Sequence, residues 1–127
     1  MATILVADDD PQLRAWIRRI LESSGHQVEE ARDGKEALAY LKQAEPALVV
    51  LDLFMPNVDG LEVILYLRSC AKPVKILALS ANPIDGYNTC RTAEVFGAHD
   101  TMVKPFDAAT FVQHVERLIS PHDEDLG

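Results

Sequence analysis

Short strand-like segments alternate with longer segments of helical periodicity along most of the chain. Five of them, at residues 3–7, 27–31, 48–51, 75–80 and 100–103, have the length and composition of strands. The first, third and fourth are almost continuously apolar, as central strands covered on both faces should be. Five strand-helix units in a row predict an α/β fold, in which a parallel sheet with right-handed crossovers carries helices on both faces.

The predicted helices differ in how well they are specified. The first has Asp10 as N-cap and Pro11 at its first position, and the last begins after Asp107. Their apolar stripes are Leu13, Trp16, Ile17, Ile20 and Leu21 in the first helix, and Phe111, Val112, Val115, Leu118 and Ile119 in the last. The fourth helix, between residues 83 and 96, contains an internal Gly86 and a sparse stripe, so we expect it to be the least stable element.

Length and charge exclude several classes of function. The 127 residues suit one domain, which we expect to span residues 1–121 and to be followed by an acidic tail at 122–127. A net charge of -8, with no basic cluster larger than the pair Arg18 and Arg19, argues against nucleic-acid binding. The first residues resemble neither a signal peptide nor a membrane span, and two cysteines are too few for a disulfide framework, so we expect a cytoplasmic protein.

Polar side chains suited to a reactive site end or follow the first, third, fourth and fifth predicted strands. Asp8 and Asp9 follow the first, Asp52 the third and Lys104 the fifth, while Ser80 closes the fourth. Because the carboxyl ends of parallel strands meet at one edge, these residues should face a single crevice. The four histidines are too scattered for a zinc site, so we expect them on the surface or in loops; they are His26, His99, His114 and His122.

Three carboxylates in one crevice require a positive partner. Each close pair repels by roughly one to several kcal/mol at intermediate dielectric, so Lys104 and a hard divalent ion such as Mg²⁺ are expected among them. Metal, ammonium and hydroxyl around a carboxylate form a site for phosphoryl transfer. Asp52 stands alone on a central strand and is the predicted nucleophile, whereas Asp8 and Asp9 are suited to holding the ion.

Four stretches at matching spacing carry a family resemblance: ILVADDDPQLR, VVLDLFMPNVDG, ILALSA and GAHDTMVKPF. With them the chain resembles the receiver domain of two-component response regulators, including stand-alone, chemotaxis-type receivers. The resemblance implies a flavodoxin-like, doubly wound, five-stranded parallel sheet of order 2-1-3-4-5 with five helices. It also implies that Asp52 accepts a phosphoryl group from a histidine kinase or a histidine phosphotransfer protein.

The same resemblance implies a role for each site residue. Asp9 would bind Mg²⁺ directly, Asp8 through water, and Asp52 and the main-chain carbonyl of Phe54 would complete the protein ligands. Ser80 would hydrogen-bond the phosphoryl group and Lys104 would pair with it, with a cis peptide bond before Pro105. Phosphorylation would shift the fourth helix and the fifth strand, and change the binding of a downstream protein to the face that these elements form with the fifth helix. Such a domain is no enzyme beyond its own phosphorylation and autodephosphorylation.

The sequence departs from the family pattern at several positions. Thr101 replaces the aromatic residue usually found three positions before the lysine, which predicts a small response at this site. In the third helix, Leu65 and Tyr66 are expected to face water, where they are either isolated apolar residues or a docking surface. The last helix carries Gln113, His114 and Glu116 where dimerising DNA-binding relatives tend to have basic residues, which disfavours that kind of dimer.

Three alternatives remain at this point. A haloacid-dehalogenase-like phosphatase would use Asp8, in the D-x-D spacing of residues 8–10, as nucleophile, but Pro11 stands where that family favours Thr or Val and no segment provides a cap domain. The chain could instead be the excised receiver of a larger transcriptional regulator or hybrid kinase. A degenerate receiver that works without phosphate is disfavoured, because the acidic set and the lysine are retained.

Overall fold

The computed structural model describes residues 2–55, 58–80 and 86–120, and for residues 86–90 it describes the backbone only. The elements, in chain order, are β1 (Thr3–Ala7), α1 (Pro11–Ser23), β2 (Gln27–Ala31), α2 (Gly34–Leu41), β3 (Leu48–Asp52), α3 (Gly60–Ser69), β4 (Lys75–Ser80), α4 (Gly86–Phe96), β5 (Asp100–Val103) and α5 (Ala108–Ile119). All five strands form one parallel sheet of order β2-β1-β3-β4-β5, which confirms the predicted fold. The predicted acidic tail at 122–127 lies outside the described residues.

One predicted boundary is wrong by one residue. β3 ends at Asp52 and not at residue 51, because Asp52 still pairs in register with Leu79 of β4. α4 is described from Gly86 onward, and the part of the predicted helix before it, at 83–85, lies outside the described residues. The stripe predicted for that helix is partly described: Ala93 is buried and Phe96 packs against the core.

The sheet separates two apolar cores. One lies beneath α2, α3 and α4, and the other beneath α1 and α5. Every residue of β3 is buried, since this strand is central and covered on both faces. In the second core the ring of Phe106 stacks on Phe111 at 5.3 Å between centroids and contacts Trp16 at 5.9 Å. These aromatic contacts fix the segment after β5 against α1.

Aspartates cap α1, α2, α3 and α5 where the chain leaves the carboxyl edge of the sheet; the residues before α4 lie outside the described ranges. The capping residues are Asp10, Asp33, Asp59 and Asp107, and each accepts a hydrogen bond from a main-chain N–H in the first turn of the following helix. Each such cap is worth about 1 kcal/mol. The caps hold the strand-helix connections, on which the polar residues of the crevice stand.

His26 lies in the loop between α1 and β2, one of the two settings predicted for the histidines, whereas the prediction that Tyr66 faces water is wrong. His26 is buried, because its ring lies against α5: its Nδ1 accepts from the N–H of Ala2 at 3.2 Å and its Nε2 lies 2.9 Å from Oε1 of Glu116. Tyr66 is half-buried and packs against the core beneath α3, whereas Leu65 is exposed as predicted. Within the described ranges, no helix has both the length and the apolar character needed to cross a bilayer.

Candidate functional site

Three carboxylates meet at the carboxyl edge of the sheet. β1 and β3 are neighbours, with Ala7 opposite Leu51, so the residues that end or follow these strands come together. One carboxylate oxygen from each of Asp8, Asp9 and Asp52 lies within 4.8 Å of the others. Asp8 and Asp52 are buried and Asp9 is exposed, so the cluster has a closed inner side and an open outer side.

Lys104 supplies the positive charge that the sequence predicts here. Its Nζ donates to Oδ2 of Asp8 at 2.8 Å and lies 3.5 Å from Oδ2 of Asp52. The main-chain N–H of Lys104 donates to the carbonyl of Ser80 at 2.7 Å, and the peptide bond to Pro105 is cis, as predicted. The structure therefore brings Lys104 into the acidic cluster, with Asp8 as its nearer partner.

Main-chain donors orient both buried carboxylates. The N–H of Phe54 donates to Oδ1 of Asp52 at 3.0 Å, and the N–H of Asp10 donates to Oδ1 of Asp8 at 2.9 Å. In each carboxylate one oxygen is thus held by the backbone, while the other is the one nearest to Lys104. The Phe54 side chain is 55% exposed and stands beside the opening of the site.

Burial and neighbouring charges both shift the pKa values of Asp52 and Lys104. Burial raises the pKa of Asp52 to about 6; the N–H of Phe54 and the charge of Lys104 oppose that rise, and the charges of Asp8 and Asp9 add to it. Burial tends to lower the pKa of Lys104, but the hydrogen bond to Asp8 and the charges of Asp52 and Asp8 outweigh it, so the pKa of Lys104 is raised. Asp52 is a carboxylate near neutral pH, at the cost of an unfavourable, desolvated charge.

The side chain of Ser80 lies at this edge of the sheet but makes no hydrogen bond to the described residues of the acidic cluster. It ends β4, the strand next to β3, and its side chain is fully buried. Its Oγ has no hydrogen-bond partner among the residues that the structure describes. A buried hydroxyl without a partner is uncommon and costs roughly 1–3 kcal/mol of desolvation, so, as far as the described residues go, this Oγ can donate to a new acceptor.

Two glycines allow the connections around the cluster to pack closely, and the sequence analysis assigned neither of them a role. A Cβ on Gly60 would lie 2.6 Å from the carbonyl oxygen of Asp52, and one on Gly34 would lie 2.0 Å from that of Val58. Both approaches bring a helix start against the connection after β3. Gly60 follows the cap residue Asp59. It has to be glycine because the start of α3 lies against the backbone at the end of β3.

Arg14 is a further residue that the sequence analysis did not assign. It lies in the first part of α1, and its Nη1 donates to the main-chain carbonyl of Asp8 at 2.7 Å. Its Nε also donates to Oε1 of Glu30 at 3.0 Å. The side chain therefore ties the connection after β1 to β2.

The donor set of the cluster fits a hard divalent cation. Its ligand atoms are carboxylate oxygens from Asp8, Asp9 and Asp52, with no histidine or cysteine in the group. Mg²⁺ favours such oxygens and keeps several water ligands, which the exposed side of Asp9 allows. The main-chain carbonyl of Phe54 stays a predicted ligand.

The comparisons with known proteins agree on one family. Residues 4–116 match the family described as the response regulator receiver domain. The response regulator MprA of Mycolicibacterium vanbaalenii is 39% identical over 124 residues, which make up 98% of this chain and 53% of that protein. The chain thus spans about half the length of the curated relatives it matches.

Solved structures show the same fold. The receiver domain of the Francisella response regulator 1452 has a TM-score of 0.88 and 29% identity, over 96% of this chain and 99% of that one. The response regulator TrrA of Thermotoga maritima, solved in complex with Mg²⁺ and BeF, has a TM-score of 0.80 and 32% identity, over 93% and 99% of the two chains.

Proposed function

Since the chain belongs to the response regulator receiver domain family, we propose that it is the phosphoacceptor module of a two-component phosphorelay and that Asp52 takes the phosphoryl group. The observation that carries the proposal is the placement of Asp52, whose Oδ2 lies 3.5 Å from Lys104 Nζ inside the acidic cluster. The receiver domain is taken to span residues 1–121, with the acidic tail at 122–127.

The proposed reaction is a displacement at phosphorus. An oxygen of the ionised Asp52 attacks the phosphorus of a phosphohistidine on a histidine kinase or a histidine phosphotransfer protein. A P–O bond forms as the P–N bond breaks, and the electron pair of the broken bond stays on the imidazole, which takes up a proton from water. With a pKa raised to about 6, Asp52 is ionised at neutral pH and can act as this nucleophile.

The other residues have supporting roles. Asp8, Asp9 and Asp52 would hold Mg²⁺, with the Phe54 carbonyl as a further oxygen. Bound there, the ion supplies positive charge against the phosphoryl oxygens. Lys104 would neutralise a phosphoryl oxygen, and the hydroxyl of Ser80, which has no partner among the described residues, would donate to another.

Phosphorylation would then change a surface used by a downstream protein. The new group adds negative charge and acceptor oxygens near Ser80, which ends β4 ahead of α4, and near Lys104, which follows β5. On the elements of the predicted face, α4, β5 and α5, two large apolar side chains are exposed among the described residues: Val95 of α4, at 77%, and Val103 of β5. We take this face as the partner surface, with the shift expressed as a change in population between two conformations.

Nucleic-acid binding is not proposed for this domain, because Arg18 is already paired with Glu22 and Glu30.

The phosphatase alternative with Asp8 as nucleophile is not supported. The Asp8 carboxylate is fully buried and accepts from both Lys104 and the N–H of Asp10, which suits it to a supporting role in the cluster. The family match also covers nearly the whole chain.

Acetyl phosphate tests the proposal directly. Incubation with acetyl phosphate and Mg²⁺, followed by intact-mass and peptide mass spectrometry, should show one added phosphoryl group on Asp52. Asp52→Asn should abolish it, whereas Asp107→Asn, which removes a carboxylate at the same edge but outside the cluster, should not. Modification at Asp8, or continued turnover in Asp52→Asn, would overturn the assignment.

A further inference from the structure

We propose that Arg14 is a positioning residue for the metal-binding side of the site, because it fixes the peptide group that joins Asp8 to Asp9. Its Nη1 donates to the carbonyl oxygen of that peptide at 2.7 Å. The inference rests on the proposed function, in that Asp9 has to be aimed at Mg²⁺ for the contact to matter.

Asp9 depends on its backbone for its orientation. Its carboxylate is exposed and accepts no hydrogen bond from any residue in the described ranges. Because each peptide group is planar, its orientation fixes the main-chain atoms on both sides. Arg14 holds the peptide before Asp9 at its carbonyl, and Oδ1 of Asp8 holds the peptide after it through the N–H of Asp10, at 2.9 Å. Both backbone torsions of Asp9 are thereby constrained.

Arg14 is itself held in place by β2. Its Nε donates to Oε1 of Glu30 at 3.0 Å, and only 16% of its side chain is exposed. Hydrogen bonds from Arg18 first, and from Arg14 next, lower the pKa of Glu30 against the effect of burial, so Glu30 is ionised at neutral pH. The guanidinium thus spans a carboxylate on β2 and a carbonyl after β1, which its forked donors can do and a single ammonium cannot.

Arg18 offers a matched control. Its Nη1 donates to Oε2 of Glu30 at 2.6 Å and its Nε to Oε2 of Glu22 at 3.2 Å, so it shares the partner of Arg14. It binds the other oxygen of the Glu30 carboxylate, and among the described residues it makes no hydrogen bond with the peptide between Asp8 and Asp9. Arg14 and Arg18 therefore differ in the one contact on which the proposal depends.

Positioning and simple electrostatics predict opposite outcomes. If Arg14 acted only through its charge, Arg14→Gln would remove a positive charge near the cluster and strengthen Mg²⁺ binding. If it positions Asp9, Arg14→Gln should weaken Mg²⁺ binding by roughly tenfold, as is usual for a group that orients a metal ligand. Arg14→Lys keeps the charge but not both hydrogen bonds. Its Mg²⁺ affinity should therefore lie between those of wild type and Arg14→Gln.

The experiment is calorimetric titration of wild type, Arg14→Gln, Arg14→Lys and Arg18→Gln with MgCl₂, after thermal unfolding without metal has shown that each is folded. The expected result is a Kd raised roughly tenfold for Arg14→Gln and less than about twofold for Arg18→Gln. A Kd for Arg14→Gln equal to or below that of wild type would overturn the inference. Should Arg14→Gln not fold, Arg14→Lys decides, because an unchanged Kd in that variant also contradicts positioning.

The same titration separates this inference from the proposed function. A wild type that binds no Mg²⁺ would contradict the metal site itself, whatever Arg14 does. If wild type binds Mg²⁺ and is phosphorylated on Asp52, an unchanged Kd in the variants would contradict the role of Arg14 alone. Acetyl phosphate labelling of Arg14→Gln should recover at saturating Mg²⁺, since the chemistry at Asp52 is intact.

Discussion

The ammonium of Lys104 donates to Oδ2 of Asp8 at 2.8 Å, a contact between the residue that follows β5 and the residue that follows β1. Asp52, at 3.5 Å from the same Nζ, is the more distant carboxylate. Lys104 therefore stabilises the acidic cluster chiefly through the residue that is not the proposed nucleophile. Asp52 is left with a raised pKa, and its Oδ2 has the longer of the two contacts to Lys104.

Removing the ammonium should destabilise the protein. Lys104→Met keeps most of the side-chain length but leaves the buried carboxylates of Asp8 and Asp52 without their cation. Losing one partner of a buried pair costs about 3–5 kcal/mol, and the partial exposure of Lys104 reduces this to about 1–3 kcal/mol. Urea unfolding without Mg²⁺ measures the loss. Lys35→Met, the same change at an exposed site on α2, should have little effect, and equal losses in both variants would contradict the prediction.

Replacing the proposed nucleophile should stabilise the metal-free protein. Because burial raises the pKa of Asp52 from 3.8 to about 6, the folded state binds more protons than the unfolded state between these pH values. The free energy of unfolding therefore falls as pH rises through this window and stays low above it. At pH 7 the stability gained in Asp52→Asn should reach about 1–3 kcal/mol, and it should vanish near about pH 4.

Chemical unfolding of both proteins across that pH range measures the effect. Asp107 should change the pH dependence of stability in the opposite direction. Hydrogen bonds from the main-chain N–H and side chain of Thr110 lower the pKa of this capping carboxylate. Asp107→Asn should therefore lose stability relative to wild type as pH rises. A gain in Asp52→Asn that is equal at all pH values would argue against a buried, ionised Asp52.

The buried hydroxyl of Ser80 should matter for the phosphoryl group and not for folding. Ser80→Ala removes an Oγ that has no partner in the described part of the chain, so its unfolding free energy should be unchanged or higher by up to about 1 kcal/mol. Binding of beryllofluoride, a phosphoryl mimic, should be weaker. Ser69→Ala, which loses a 2.8 Å bond to the Tyr66 carbonyl, is the control and should lose stability without changing that binding. A clear loss of stability in Ser80→Ala would show that the hydroxyl is already paired.

Thr101 predicts a limited response in β5. It is half-buried, pairs in register with Ala78 and lacks the ring that receivers usually carry here. On adding beryllofluoride and Mg²⁺, amide chemical shifts should therefore change most near Asp52, Ser80 and Lys104, and little around Thr101. Thr101→Tyr should extend the changes along β5. Large changes centred on Thr101 in the wild type would contradict this prediction.

The sequence by itself determined the sheet, its helices and the residues at its reactive edge. Apolar patterning and the aspartate caps act between residues a few positions apart, so they can be read along the chain, as for Asp10 before α1 and Asp107 before α5. The parallel arrangement then places Asp8, Asp52, Ser80 and Lys104 at one edge, whatever their detailed contacts.

Only the tertiary structure decided which of these groups touch. That Lys104 donates to Asp8, that Arg14 holds the Asp8 carbonyl and that His26 is buried against α5 follows from how separate helices and strands pack. Gly60 is needed for the same reason, since its neighbour is the backbone of Asp52. Hydrogen bonds and steric contacts change within a few tenths of an ångström, and that precision is set by the packed core and not by any local pattern of residues.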